Sequence, residues 1–285
     1  MYKMIVLDLD GTLLDDYKKV SAENIEMIKR AYEEKGVITV IATGRPLSFA
    51  RGLSLDNGTF ANYIIACNGA IINEIQTNEY IDKKILRNEE VLEIRKIFLE
   101  EEAEYMLMFS GESSICETSV EIDFKGLKKA NSGNDMKYRS IEEVLAQEPD
   151  FDKFICIIGI VNKSEEILKK VMKRLENMPD IEVTDISTFM HKSEEGTFKS
   201  RFIDVAREGA TKENAIKILA KKLGIMEEEI IVMGDGGNDM PMFDVAGLKV
   251  AMENAMDSLK EKADFITANN NENGVAVAIQ KFVFD

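Results

Sequence analysis

Tryptophan is absent from this chain, histidine occurs once, at His191, and four prolines are spread over 285 residues. A single histidine has no partner with which to build a histidine-rich metal centre. Scarce proline leaves room for many regular elements and few rigid linkers. Cysteine occurs three times, at Cys67, Cys116 and Cys156, far apart and in or beside apolar stretches such as "NYIIACNG" and "FICIIGIV". An odd number without paired spacing excludes a disulfide framework or a zinc cluster and leaves buried free thiols in a reducing compartment. No run approaches the roughly 18 apolar residues of a membrane span, and nothing beyond "MIVL" at the start resembles a signal segment. The expected setting is therefore the cytoplasm, without membrane contact. Basic residues are also in deficit: 36 Lys and Arg against 52 Asp and Glu leave a formal charge of −16. Such a surface, with no clustered Lys and Arg, excludes nucleic acid as a partner. It also repels a small anionic substrate, which would need a local cation, most simply a metal with a lysine or arginine.

What the chain does contain is alternation. "KMIVLDL" reads as a strand, "SAENIEMIKRAYEEKG" as a helix and "VITVIATG" as a second strand. The helix is expected to start after Ser21 as N-cap, with Asn24 at the third position, to stop at Gly36, and to bury Ile25, Ile28, Ala31 and Tyr32. Strand, helix, strand is the βαβ unit of a parallel sheet, whose ligand sites lie beyond the carboxyl ends of the strands. "YIIACNGAIINE" reads as two strands around a turn at Asn68 and Gly69. From about residue 84 the texture changes to "NEEVLEIRKIFLEEEA" as helix, "YMLMFSG" and "SSICET" as paired strands, and "DKFICIIGIV" as a strong strand. "KSEEILKKVMKRLENM" follows as helix and "IEVTDIS" as strand, while "KKANSGNDMKYRS" is polar and loop-like. Alternation then resumes from "SRFIDVAREG" to "NGVAVAIQKF". At this length two domains are expected: a doubly wound core from 1–83 and 196–285, and an inserted α/β module from 84–195.

Four polar clusters fall at strand ends: "DLDGT" at 8–12, "ATGR" at 42–45, "GATKEN" at 209–214 and "GDGGND" at 234–239. Taken singly, each has an ordinary reading as an Asx-turn, a glycine-rich turn or a helix cap. Together at one edge of a parallel sheet they bring carboxylates, a lysine and a threonine to one place. Strand alternation puts Asp8 and Asp10 on the same side, and like charges that close need a cation. Oxygen donors without a His or Cys cluster suit Mg²⁺.

The ordered set "DLDGTLL", "TGR", a lysine before a helix and "GDGGNDMPMF" resembles the haloacid dehalogenase superfamily of phosphohydrolases. Within it the Cof-like sugar-phosphatase branch is the nearest pattern, because "VAMENAMDSLKEKADFITANNNENGVAVAI" is similar to the tail of that branch. The resemblance implies an α/β fold with a Rossmann-like core and an inserted α/β cap. It implies a Mg²⁺-dependent phosphatase for small phosphorylated metabolites, sugar phosphates above all, working as a monomer or homodimer. Carried over by motif position, it makes Asp8 the nucleophile that becomes an aspartyl-phosphate. Asp10 protonates the leaving oxygen, deprotonates water, and helps hold the metal through its backbone carbonyl. Thr43 and the neighbouring amides at Gly44 and Arg45 hold phosphoryl oxygens, Lys212 supplies positive charge, Asp235 binds the metal, Asp239 supports it, and Asn238 orients the phosphoryl group. A transition state with charge on equatorial oxygens needs such neutralisation in an acidic protein, and two carboxylates divide attack from proton transfer. The same aspartyl-phosphate also serves a phosphomutase or phosphotransferase, and the scaffold without turnover would be a metabolite-binding protein.

Several residues keep two readings. Arg45 either fixes its loop through an ion pair or meets the substrate. Glu253 is either a surface residue at the site entrance or a group that excludes some anionic substrates, and Glu213 stands where many relatives have a small residue. His191, in "TFMHKSEEG", is either a surface or hinge residue or a contact at the domain mouth. The fifteen methionines read as core filling.

Overall fold

Met4, Ile5, Val6 and Leu7 are all fully buried and form β1 (Met4–Leu7). A strand apolar on both faces is stable only in the middle of a covered sheet, and this placement decides where Asp8 emerges. The structure, a computed structural model, describes residues 1–103, 105–109, 115–118, 155–162, 164–193 and 196–285. The "KKANSGNDMKYRS" segment lies outside the described residues. The chain folds as two units, Met1–Lys83 with Thr211–Asp285, and Lys84–Ala210.

After β1, helix α1 (Ala22–Lys35) begins as expected: the Ser21 side chain accepts from the Asn24 amide, and Gly36 closes the helix in the left-handed conformation. Its buried face differs from the expected one. Asn24, Ile28 and Ala31 are buried, whereas Tyr32 is 49% exposed. Asn24 goes inside with its carboxamide oxygen accepting from the Ala276 amide at 2.9 Å, which offsets part of the cost of burying the group. Strand β2 (Ile38–Ala42) and helix α2 (Leu47–Asp56) follow. Strands β3 (Tyr63–Ala66) and β4 (Ile71–Glu74) then pair antiparallel around a tight turn at Cys67–Gly69, and β5 (Tyr80–Lys83) continues the meander.

The unit Lys84–Ala210 contains helix α3 (Asn88–Glu100), β6 (Met106–Phe109), β7 (Ile115–Thr118), β8 (Ile155–Asn162), helix α4 (Glu165–Leu175), β9 (Ile181–Ser193) and β10 (Gly196–Arg207). Its sheet runs β7-β6-β8-β10-β9, antiparallel throughout. Val91, Ile94 and Phe98 of α3, Leu168, Val171 and Leu175 of α4, and Ile203 and Val205 of β10 form one buried cluster. The segment "SRFIDVAREG", read from sequence as the start of the returning core, is part of β10 and pairs with β8 and β9. Hydrogen bonding to those neighbours, which local sequence does not encode, carries this unit through to Ala210.

The first unit resumes with helix α5 (Lys212–Leu223), β11 (Ile230–Gly234), α6 (Met240–Phe243), β12 (Leu248–Ala251), α7 (Asp257–Lys260), β13 (Phe265–Ile266) and α8 (Gly274–Ile279). Its sheet order is β13-β12-β11-β1-β2-β3-β4-β5, parallel from β13 to β3 and antiparallel beyond. The chain leaves β1 toward β2 on one side and returns to β11 on the other. That reversal is a topological switch point, and ligands in such sheets bind at the strand carboxyl ends beside it. No helix among the described residues is long and apolar enough to cross a membrane.

Candidate active site

Asp8, Thr43 and Asp235 directly follow the neighbouring strands β1, β2 and β11. The turn after β1 needs glycine: Gly11 has φ +84°, and a Cβ there would stand 2.2 Å from Asp235 Oδ2. The backbone of this turn therefore approaches Asp235 as closely as the chain allows. Thr12, fully buried, donates its hydroxyl to Asp235 Oδ1 at 2.8 Å. Lys212 opens α5, whose N-cap Thr211 accepts from the Asn214 amide.

Lys212 is buried and donates to Asp8 Oδ1 at 2.6 Å and to Asp239 Oδ1 at 2.7 Å. The other oxygen of Asp239 accepts from the backbone amides of Asp235 and Gly236, at 3.0 and 2.9 Å. Asp239 is thus committed to holding the lysine and the glycine-rich loop. Gly234 is required beside it, since a Cβ there would come within 2.6 Å of the Asp239 Cβ.

Carboxylate oxygens of Asp8, Asp235 and Asp239 lie within 4.8 Å of one another. Burial, and then the charge of Asp239, push the Asp8 carboxyl up to about 8 against the pull of Lys212. Burial and the charge of Asp239 likewise push Asp235 up to about 6, opposed by the Thr12 hydroxyl. Burial alone would lower Lys212, but the carboxylates of Asp239 and Asp8 outweigh it and hold the ammonium above its ordinary value. One ammonium faces three carboxylates, so the cluster is short of positive charge. Its donors are all carboxylate oxygen, the ligand chemistry that suits a hard divalent cation such as Mg²⁺.

The Asp10 carboxylate stands apart from that cluster of three. Arg45 grips both of its oxygens, through Nε and through Nη2 at 2.6 Å, and Lys18 donates to Oδ1 at 2.9 Å. Burial would raise Asp10, but these two cations more than reverse it and hold the carboxyl below its usual value. The Arg45 guanidinium also lies 4.0 Å from the centre of the Phe49 ring. Arg45 thus makes an ion pair with Asp10.

Thr43 is buried; its hydroxyl oxygen accepts from the Arg45 amide at 3.1 Å and its carbonyl from the Asn68 amide at 3.0 Å. Gly44 faces the Asn68 carboxamide, which a Cβ would meet at 3.0 Å. Asn238 lies in the short turn Gly237–Asp239, half-buried. Glu213 pairs with Lys217 one helical turn on, and Glu253 accepts from Asn269 at 3.3 Å. His191 lies on β9, opposite Phe198 of β10, within the other unit.

Sequence reasoning gave no role to Thr12 or Lys18, and it found the turn at Asn68 and Gly69 without its neighbour. Gly69 has φ +109°, and a Cβ on it would stand 2.1 Å from the Thr211 carbonyl, so that turn abuts the start of α5. A glycine after an asparagine was visible as a turn, but its packing against Thr211 was not.

A family model for haloacid dehalogenase-like hydrolases matches residues 5–279. The chain is 33% identical over 292 residues to a 5-amino-6-(5-phospho-D-ribitylamino)uracil phosphatase of Bacillus subtilis, covering 99% of this chain and 98% of that one. A haloacid dehalogenase-like hydrolase from Bacteroides thetaiotaomicron superposes with a TM-score of 0.77 at 29% identity, over 99% of each chain. A sugar phosphatase of haloacid dehalogenase subclass IIB superposes with a TM-score of 0.77 at 28% identity, over 98% of each. With the family model spanning residues 5–279, and strand-end carboxylates, a buried lysine and an inserted α/β cap present, this chain belongs to the haloacid dehalogenase-like hydrolases and is a phosphoric monoester hydrolase of that type.

Proposed function

We propose that this protein is a Mg²⁺-dependent phosphatase of small phosphorylated metabolites, sugar phosphates among them, working through phosphorylated Asp8. The observation that carries this reading is the buried Asp8 carboxylate, held by Lys212 at 2.6 Å inside a cluster short of positive charge. The Asp8 carboxylate attacks phosphorus, the bond to the ester oxygen breaks, and Asp10 delivers its proton to that oxygen. Water then attacks the phosphorus, Asp10 takes the proton released, and inorganic phosphate leaves with Asp8 restored. The Asp10 carboxylate held by Arg45 and Lys18 is the base form, suited to the second displacement. In the first displacement it carries the proton.

Asp8 and Asp235, with the backbone carbonyl of Asp10, would hold the ion, and Asp239 keeps Lys212 and the loop in place. Mg²⁺ when bound supplies positive charge to the phosphoryl oxygens and the crowded carboxylates. Thr43 with the amides around Gly44 and Arg45 receives phosphoryl oxygens, and Asn238 orients the same group. The inserted unit selects the leaving group, since the core carries every group that the transfer needs. Phosphorylated polyols are the favoured substrate class because the similar Bacillus phosphatase is named for a phosphoribityl compound and the similar subclass IIB enzyme for sugar phosphates. Cys67, buried and outside any disulfide, suits a reducing, cytoplasmic setting.

Intact-protein mass spectrometry after rapid quench with an aryl phosphate tests the assignment. The expected result is one added phosphoryl group on Asp8, absent in Asp8→Asn. A phosphoryl group on any other residue overturns it.

A further inference from the structure

The polar strips "MENA" and "ANNNENG" find no use in the chemistry above, yet they reach the loop after the nucleophile. Asn254 Nδ2 donates to the Gly11 carbonyl at 2.7 Å, and Asn254 Oδ1 accepts from the Asn270 amide at 3.0 Å. Asn270, buried, donates its own Nδ2 to the Leu14 carbonyl at 2.9 Å and to Asp16 Oδ1 at 3.3 Å. Asn271 Oδ1 accepts from the Asp16 amide at 3.1 Å. Residues 11, 14 and 16 are thereby tied to residues 254, 270 and 271, the far end of the chain.

We propose that Asn254 and Asn270 are positioning residues that hold the Gly11–Leu14 loop, and through it Thr12 and Asp235, in the geometry for phosphoryl transfer. The inference rests on the assignment of Asp8 as nucleophile. Its physical basis is the conformation of Gly11. A residue at φ +84° that has no room for a Cβ carries no side chain to anchor its own peptide plane. In a planar trans peptide the carbonyl and the following N–H point in opposite directions, so fixing the Gly11 carbonyl fixes the orientation of Thr12. Thr12 in turn donates to Asp235. A side chain at 254 must donate to a carbonyl at one atom and accept from an N–H at the other, and a carboxamide does both. The orientation of the Asn254 amide follows from those two neighbours, since the atom facing an N–H has to be the oxygen.

Asn254→Asp is the direct test. It keeps the shape and the acceptor for Asn270 but sets a carboxylate oxygen against the Gly11 carbonyl. The expected result, with p-nitrophenyl phosphate and saturating Mg²⁺, is a fall in kcat of about tenfold or more at a KM changed by less than about threefold, because ångström-scale misplacement acts on the transition state. Asn254→Ala, which loses the donor without adding repulsion, should fall between Asn254→Asp and the parent. Melting temperatures measured alongside establish that the folded fraction is unchanged at the assay temperature. A kcat for Asn254→Asp within about twofold of the parent overturns the proposal, as does a raised KM at unchanged kcat, which would make Asn254 a substrate ligand. Asp8→Asn assayed in parallel separates the two readings. If it is inactive while Asn254→Asp matches the parent, only the positioning role fails; if it stays active, both fail.

Discussion

Each unit of this protein buries a cluster of charges, and the two clusters are balanced in opposite ways. In the inserted unit the buried Glu90 meets two guanidiniums. Arg207 Nη1 donates to both of its oxygens at 2.7 and 2.8 Å, and Arg87 donates through Nη2 at 2.6 Å and through its backbone amide at 2.7 Å. Burial alone would raise this carboxyl, but Arg87 and then Arg207 outweigh it and hold it below its ordinary value. In the first unit, Lys212 is the cation that faces Asp8, Asp235 and Asp239 among the described residues, and Asp8 is pushed upward. A carboxylate that only holds structure is saturated with cations by the fold itself. The Asp8, Asp235 and Asp239 cluster, by contrast, is left with uncompensated negative charge, as expected of a site that is to receive a cation under the function proposed above.

The strongest way to break this comparison is Asp8→Asn. Activity should fall by more than about 10³-fold, while the melting temperature of the metal-free protein stays level or rises, since one of the crowded carboxylates is gone. A clear loss of stability would mean that Asp8 is a structural ion pair like Glu90. Metal exchange comes next. EDTA should abolish phosphate release and Mg²⁺ should restore it, and Mg²⁺ at a hundredfold excess over its Kd should add about 2.7 kcal/mol of stability to the catalytic unit. Full turnover in metal-free protein would remove the reason for the charge deficit.

The complementary disruption is Glu90→Gln, which leaves Arg207 short of its partner. It should lower the stability of the inserted unit by about 1–3 kcal/mol, read by urea denaturation, because Arg207 keeps some access to water. The kcat on a small aryl phosphate should be unchanged. The smallest effect is in pH dependence, where the two clusters carry opposite signs. Glu90 is depressed in the folded state, so its contribution is present above its ordinary value of 4.5 and is lost as pH falls through its lower folded value. Asp8 is raised from 3.8 to about 8, so the metal-free folded state binds the extra proton, and this term weakens the fold as pH rises through that window. Relative to the parent, Glu90→Gln should therefore be less stable above pH 4.5, with the deficit closing as pH falls, whereas Asp8→Asn should gain stability as pH rises from 3.8 towards about 8, and deviations of the same sign would contradict the contrast.

Strand ends were the most legible part of the molecule. Asp8, Asp10, Thr43 and Asp235 follow apolar runs, and a parallel sheet brings the carboxyl ends of its strands together whatever else the chain does. Helix α1 was legible at both ends because Ser21 and Gly36 act locally. Its inner face was not, since Asn24 is buried by a hydrogen bond to Ala276 across the whole length of the unit. The same limit explains β10: its residues read as a strand, but a strand's neighbours are chosen by pairing at long range.

By itself, then, the sequence determined which chemistry was on offer: carboxylates, one lysine and glycines at strand ends, in an order and with an acidity that call for a cation. Only the tertiary structure decided how those groups divide the work. It set Asp10 with Arg45 and Lys18, outside the Asp8, Asp235 and Asp239 cluster. It committed Asp239 to Lys212 and two backbone amides, and brought Asn254 and Asn270 to the loop at Gly11. The physical reason is range. Caps, turns and strand runs are settled among residues a few positions apart, whereas the partner of a buried charge or carbonyl is whatever the packed fold sets within about 3 Å of it.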